Sequence, residues 1–104
     1  MGFEAVVSED TPGRYLITLG GDLSFPDSDG LVELVAGLVA ESGAVTVVLD
    51  VSGLEFLDSS GVRALLQARQ ATLAKDGTLS VTGAQGTVAE VLRITGVDAL
   101  LYLC

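Results

Sequence analysis

Val45 to Gln70, which reads VTVVLDVSGLEFLDSSGVRALLQARQ, is the stretch that decides the fold. Its first part, residues 45–51, is almost continuously apolar and β-branched, a pattern typical of a strand buried on both faces of a parallel sheet. Asp50 stands near the end of this run. From residue 62 onward, apolar residues recur at the spacing of an amphipathic helix: Val62, Leu65, Leu66 and Leu73. The stretch therefore predicts a buried strand, a short turn and a helix.

The turn between this strand and this helix is residues 58–61, Asp-Ser-Ser-Gly. As the N-cap residue, Asp58 can accept hydrogen bonds from N–H groups of the first turn, while Leu57 and Val62 form a hydrophobic staple. The two serines then stand at a helix N-terminus, where free N–H groups and the positive end of the helix dipole can host an anion. Serines are also common at such positions for capping reasons alone.

Composition limits the class of protein. The chain has 104 residues, 49% of them apolar and 18% charged, which indicates one globular domain spanning residues 1–104. Five basic residues oppose 14 acidic ones, and the net charge of −9 favours a basic protein surface as partner over nucleic acid or an anionic membrane.

The residue inventory also sets expectations about location and chemistry. No apolar run reaches the ~20 residues of a membrane span, and the first ten residues do not resemble a signal peptide. A lone cysteine, Cys104, fits a reducing compartment, so the cytoplasm is the expected location. Histidine is absent, which excludes imidazole-based acid–base catalysis. We expect no metal, no cofactor and no enzymatic activity.

The rest of the chain predicts an α/β domain. Residues 3–7 and 15–19 are β-prone runs around a turn-forming cluster and predict a hairpin, with Gly20-Gly21 ending the second strand. A helix with apolar positions at Leu31, Leu34, Val35, Leu38 and Val39 follows, and it ends at Ser42-Gly43. Gly77 is expected just past the end of the second long helix. A strand over residues 78–82, a shorter helix ending at Gly96 and a final apolar strand over residues 97–103 complete the chain.

This order, ββαβαβα and a final strand, predicts a mixed, mostly parallel sheet of four to five strands with helices packed on it. In consecutive right-handed crossovers the strand-to-helix loops share one edge of the sheet, the usual functional edge of α/β folds. The acidic residues predicted there are Asp22, Asp27, Asp29, Asp50, Glu55 and Asp58. Single acidic residues suit helix starts and turns, but six together predict an acidic surface.

Three segments resemble a known family: Leu49-Asp50 at a strand end, FLDSSGV at residues 56–62 and LRITG at residues 92–96. The chain is identified as a member of the STAS family, and over nearly its whole length it resembles bacterial anti-sigma factor antagonists. In that family, an anti-sigma factor that is an ATP-dependent serine kinase phosphorylates the first serine of the motif. The resemblance implies that the unphosphorylated chain binds the anti-sigma factor and so releases a sigma factor. Phosphorylation abolishes binding, and a separate phosphatase resets the switch.

The resemblance implies that Ser59 is the phosphate acceptor, whereas helical phase alone favours Ser60. Ser60 points away from the apolar stripe and Ser59 lies at its margin, but the first turn can project beyond the sheet, so Ser60 remains the alternative. The implied partner-binding residues are Asp22, Ser24, Asp58, Ser59, Ser60, Gly61 and Arg63. The family often has a carboxylate where this chain has Ser24, and Asp22 is the nearest residue that can replace its charge.

Gly61 has two open interpretations. A side chain at this position could block close approach by the partner's backbone, or it could disrupt tight packing of the turn on Phe56 or on a neighbouring loop.

Two other functions fit part of the pattern. A STAS domain can act only as a scaffold, in stressosome-like or lipid-transport-associated assemblies. An aspartyl-phosphate receiver would present Asp50 at a strand end. It also needs an acidic pair after its first strand, which this chain lacks, and a lysine late in the chain, whereas the only lysine here is Lys75. We therefore expect a binding module, a monomer or weak homodimer, whose partners are an anti-sigma factor serine kinase and a phosphatase.

Overall fold

The computed structural model describes residues 2–43 and 45–97. Its elements are, in chain order, β1 (Phe3–Thr11), β2 (Arg14–Leu23), α1 (Asp27–Ser42), β3 (Thr46–Leu57), α2 (Ser59–Leu73), β4 (Thr78–Thr82) and α3 (Gly86–Ile94). This is the ββαβαβα order that the sequence predicts. The final strand predicted over residues 97–103 lies, from residue 98 onward, outside the described residues.

The strands form a sheet in the order β1-β2-β3-β4. β1 and β2 are antiparallel, and β2, β3 and β4 are parallel to one another. The predicted mixed, mostly parallel sheet is therefore confirmed, with four strands in the described part of the chain. Because the parallel strands each lead into a helix, the ends of β2, β3 and β4 and the starts of α1, α2 and α3 share one side of the sheet. We call this side the C-terminal edge.

The hairpin strands are longer than predicted, and Gly20-Gly21 does not end β2. The strand continues to Leu23 through a register irregularity, in which Gly21 pairs with Leu54 but Asp22 pairs with Phe56. Gly21 has a φ of 87°, which residues with a side chain rarely adopt. A Cβ there would collide with the Gly2 carbonyl oxygen. The glycine pair thus accommodates an irregularity inside the strand, and β2 continues past it to the C-terminal edge.

β3 also extends beyond its predicted end, and it is not buried on both faces. Val45, Val47 and Leu49 are buried, whereas the alternate positions Val48 and Asp50 are only half-buried. The prediction of burial on both faces is therefore wrong. β-Branched residues favour strands because they fit a pleated surface, whether or not both faces are covered.

The apolar stripes of the helices supply the other half of the core. Of the five apolar positions predicted for α1, Leu31, Val35 and Val39 are buried and the other two are half-buried. The fully buried side chains include Ile17, Leu19, Leu49, Leu65, Leu79 and Leu92. They come from three strands and two helices, so a single core joins the sheet to its helices.

The end of α2 differs from the prediction. Asp76, not Gly77, has the left-handed conformation, with a φ of 64°. The Gly77 N–H donates to the Thr72 carbonyl at 2.9 Å, and a Cβ on Gly77 would collide with the Val45 carbonyl oxygen. Gly77 is therefore needed for close packing against the start of β3, and not for its backbone conformation.

Candidate functional site

Two loops meet at the centre of the C-terminal edge. Leu23 and Leu57, the last residues of β2 and β3, are paired in register, and so are Asp22 and Phe56. The Asp58 N–H donates to the Leu23 carbonyl oxygen at 3.4 Å. Residues paired in register share a face of the sheet, so the buried Leu23 and Leu57 lie on one face and Asp22 and Phe56 on the other. The end of β2 is thereby fixed against the start of α2.

Asp58 caps α2 as predicted. Its backbone is extended, with φ −109° and ψ −168°, and its Oδ1 accepts a hydrogen bond from the Gly61 N–H at 3.0 Å. Its carbonyl accepts the Val62 N–H, also at 3.0 Å. Leu57 and Val62, the predicted staple residues, are both buried. The cap and the buried pair together fix the direction in which the chain enters the helix.

The two serines of the turn differ in exposure. Ser59, the first residue of α2, is exposed, whereas Ser60 is half-buried. This order is the reverse of the one that helical phase alone predicts. α2 begins two residues after β3 ends, at the edge of the sheet, so burial in its first turn does not follow from helical phase alone. Of the two serines, Ser59 is therefore the more exposed residue.

Gly61 is buried. A Cβ at this position would collide with the Leu23 carbonyl oxygen and would lie 3.0 Å from Leu57 Cβ and 3.2 Å from Leu23 Cγ. Of the two interpretations of Gly61, the structure supports packing of the turn, with Leu23 and Leu57 as neighbours in place of the expected Phe56. Gly61 thus allows the turn that carries Ser59 to pack on Leu23 and Leu57, and its role in partner binding stays a prediction.

Charged and polar residues lie in the two segments that meet at the start of α2. Asp22, Ser24 and Asp58 are half-buried, and Arg63 is exposed one turn further along α2. Asp27, Asp29 and Glu55 are exposed at the same edge. The one ion pair found among residues 2–43 and 45–97 joins Arg14 to Asp10, at 3.2 Å, beside the hairpin turn at the opposite end of β2. The carboxylates around Ser59 are therefore not neutralised by any ion pair within the described part of the chain.

Asp50 lies apart from this group. β3 continues beyond it to Leu57, so Asp50 stands roughly 20 Å before the end of the strand. It pairs with Thr82 at the end of β4, and its Oδ1 accepts the Ser52 N–H at 3.0 Å. This backbone hydrogen bond, with a further one to the Ser52 side chain, lowers the pKa of Asp50 below its ordinary value of 3.8. Of the six acidic residues predicted at this edge, five thus lie near the ends of β2 and β3 or the starts of α1 and α2, and Asp50 lies beside the end of β4.

Among residues 2–43 and 45–97, no group of three or more acidic or cysteine side chains is placed to hold a metal ion. None of the helices in those ranges combines the length and apolarity that a membrane span requires.

The sequence matches the family model of the STAS domain over residues 4–103, so the chain belongs to the STAS domain family. Among curated proteins, none matches the chain. One similar solved structure is an anti-sigma factor antagonist from Mycobacterium paratuberculosis, at 22% identity and a TM-score of 0.82, with 98% of this chain and 85% of that chain covered. A second is the Bacillus cell fate determinant SpoIIAA in its phosphorylated form, at 19% identity and a TM-score of 0.76, covering 97% of this chain and 89% of the other.

The same fold also occurs inside a transporter. The murine anion transporter Solute Carrier 26 family member A9 matches at 21% identity and a TM-score of 0.73, covering 88% of this chain but 15% of the transporter. At these identities the likenesses establish the fold, and the function has to be argued from the site.

Sequence reasoning missed two aromatic side chains at the C-terminal edge. Phe25 is 68% exposed in the loop after β2, and Phe56 is 45% exposed near the end of β3. For Phe56 the sequence predicts only a possible packing contact with the turn at Gly61. The position of an aromatic residue within a polar loop, as in the Ser24-Phe25-Pro26 segment, is the signal that could have identified Phe25.

Proposed function

We propose that this protein is an anti-sigma factor antagonist that binds its anti-sigma factor when unmodified and is inactivated by phosphorylation of Ser59. The observation that carries the proposal is the exposure of Ser59 at the capped start of α2, among carboxylates without an ion pair in the described part of the chain. Membership of the STAS family and the fold shared with anti-sigma factor antagonists support it.

The fold itself tolerates a phosphate on Ser59. A phosphoserine carries about −1.5 to −2 charges at neutral pH. At the first residue of α2 this charge meets the positive end of the helix dipole, a favourable interaction of ~0.3–1 kcal/mol. The modified protein should therefore keep its structure, and the effect of the phosphate has to lie elsewhere.

The interface is where the phosphate acts. On binding, the dianion would lose water beside Asp58 and Asp22, and neither carboxylate can compensate its charge. An uncompensated charge at a desolvated interface costs about 3 kcal/mol or more, which corresponds to a loss of affinity of about a hundredfold or more. Repulsion and desolvation outweigh the small gain at the helix start, so phosphorylation switches binding off.

In this proposal the chain is a substrate and a binding module, without turnover of its own. The partner kinase supplies ATP and the catalytic groups, and a separate phosphatase removes the phosphate in the cytoplasm. The absence of histidine from the sequence fits a chain that performs no acid–base chemistry itself.

A non-switching scaffold is the second candidate, and Ser24 favours it. This residue stands where the family often has a carboxylate, its side chain is half-buried, and its carbonyl accepts the Ser28 N–H at 2.8 Å. A scaffold would use the same fold without a phosphate acceptor.

The experiment that tests the proposal is phosphorylation by an anti-sigma factor serine kinase from the same genome. Purified protein is incubated with each such kinase, ATP and Mg²⁺, and the modified residue is located by mass spectrometry. We expect one phosphate on Ser59, none after Ser59→Ala, and normal modification of the matched control Ser60→Ala. Protein incubated with ATP and Mg²⁺ alone should gain no phosphate. Modification of Ser60 would contradict the assignment, and a chain that no kinase modifies would be a scaffold.

A further inference from the structure

Two exposed phenyl rings occupy the C-terminal edge. The chain has three phenylalanines, and while Phe3 is half-buried, Phe25 and Phe56 are 68% and 45% exposed. Other large apolar side chains exposed in the described residues lie on β1 or at the ends of α2 and α3: Val6, Val7, Leu73 and Ile94. Of the large apolar side chains exposed in the described residues, the two aromatic ones are therefore those that lie at the edge that carries Ser59.

Backbone contacts place Phe25 and Phe56 in the two segments that meet at the start of α2. Phe56 in β3 pairs with Asp22 in β2. Phe25 lies just after β2, in the loop before α1. The carbonyl of Leu23, two residues before Phe25, accepts the Asp58 N–H. Ser59 is the next residue along the chain. The two aromatic side chains thus belong to the two loops that this hydrogen bond joins.

Exposed aromatic rings at a functional edge have a recognised energetic role. Phenylalanine offers a large apolar area with few rotatable bonds, and aromatic side chains in desolvated pockets dominate the affinity of many interfaces. We propose that Phe25 and Phe56 are the apolar anchors of the partner-binding surface, and that they enter an apolar recess on the partner. This inference rests on the proposed function, because it concerns the same edge and the same partner.

The charge around the anchors identifies the occupant as a basic protein surface. Asp22 and Asp58 flank Phe56, and Asp27 follows Phe25 closely in the chain. A second copy of this chain would bring the same carboxylates and a net charge of −9, and an anionic membrane would be repelled for the same reason. An apolar recess on the partner, with lysine and arginine side chains around it, would bury the two rings and pair with the carboxylates.

The rings and the carboxylates should act on different rate constants. Exposed charges attract a basic partner over a distance and raise the association rate. Rings buried in a recess contribute only after contact, so their loss speeds dissociation. Truncating a ring should leave the salt dependence of association as it is in the wild type.

The test is surface plasmon resonance with the anti-sigma factor kinase that binds the unmodified chain. We expect Phe25→Ala and Phe56→Ala each to raise Kd about tenfold or more, mainly through faster dissociation. Phe56→Leu should restore part of the loss. The control is Ile94→Ala, which removes an apolar side chain of matched exposure, 69%, from the end of α3, the end opposite the C-terminal edge. It should bind as the wild type does.

Melting curves keep this test independent of folding. Because Phe25 is 68% exposed, Phe25→Ala should melt close to the wild type. Wild-type dissociation rates in both phenylalanine variants would overturn the anchor assignment while leaving the proposed function intact. A wild-type dimer in sedimentation that Phe25→Ala abolishes would overturn it in favour of a second copy. If no anti-sigma factor binds the wild type, the proposed function fails and the anchors fail with it.

Discussion

Replacing Gly61 by alanine tests how the structure positions Ser59. The new Cβ would overlap the Leu23 carbonyl oxygen and would approach Leu57 Cβ to 3.0 Å. That carbonyl is also the acceptor of the Asp58 N–H, so any shift that relieves the overlap disturbs the contact between β2 and the start of α2. The substitution therefore strains the contact between the end of β2 and the start of α2, which positions Ser59.

The magnitude follows from two opposed effects. In an open helical position, alanine in place of glycine stabilises a protein by roughly 0.5–1 kcal/mol. At Gly61 this gain is opposed by overpacking against a backbone atom, which typically costs about 1–3 kcal/mol. Since a strand carbonyl yields less readily than a side chain, we expect overpacking to prevail and a net loss of about 0.5–2 kcal/mol. In a domain of this size each kilocalorie lowers the Tm by about 4–8 °C.

The assay is urea unfolding of the wild type, Gly61→Ala and a control, Gly37→Ala. Gly37 lies in α1, is exposed, and a Cβ there would meet no atom within 4 Å. The control should gain the roughly 0.5–1 kcal/mol that open space allows. If Gly61→Ala is as stable as Gly37→Ala, the close packing of the turn on Leu23 is wrong, and so is the account of why a glycine stands there.

Three further changes test other parts of the structure. Asp58→Ala removes the side-chain cap of α2 and should lower the free energy of unfolding by about 0.5–2 kcal/mol, while Asp58→Asn should retain most of it; equal losses would contradict the capping role. Folding lowers the pKa of Asp50, so its ionised form stabilises the fold above its ordinary pKa of 3.8, and this contribution disappears as the pH falls through the lower folded value. The difference in unfolding free energy between the wild type and Asp50→Asn should therefore be largest above pH 3.8 and should shrink as the pH falls below that value. A difference that does not change with pH in acid titrations would refute the assignment. Gly77→Ala should destabilise the protein in urea because its Cβ meets Val45, whereas Asp76→Gly, at a positive φ, should not.

The element order and the cap of α2 could be predicted because both depend on local signals. Apolar spacing identified the three helices, and the Asp-Ser-Ser-Gly segment identified the N-cap at Asp58. The handedness of crossovers then predicted the sheet, and with it the edge where the acidic loops meet.

The errors concern features that depend on distant parts of the chain. The register irregularity lets β2 continue past Gly20 and Gly21. It could not be predicted because the register between two strands depends on both strands and not on the sequence of one. Gly77 faces the Val45 carbonyl, a contact between residues far apart in sequence. Single-segment patterns cannot reveal such contacts.

Part of the candidate site could not be predicted for the same reason. Helical phase placed Ser59 and Ser60 relative to the apolar stripe of α2, but their exposure depends on where that helix begins relative to the sheet edge. The packing of Gly61 on Leu23 and the exposure of Phe25 depend on the loop after β2, which the sequence identifies only as polar.

The measurement that tests the central claim most directly is the affinity of the anti-sigma factor kinase for the two forms of this chain. Isothermal titration calorimetry, with a non-hydrolysable ATP analogue present, would compare the unmodified protein with protein fully phosphorylated on Ser59. Circular dichroism on the same samples would verify that both forms are folded. We expect Kd to rise by about a hundredfold or more on phosphorylation, with unchanged secondary structure. Equal affinities of the two folded forms would contradict the switch.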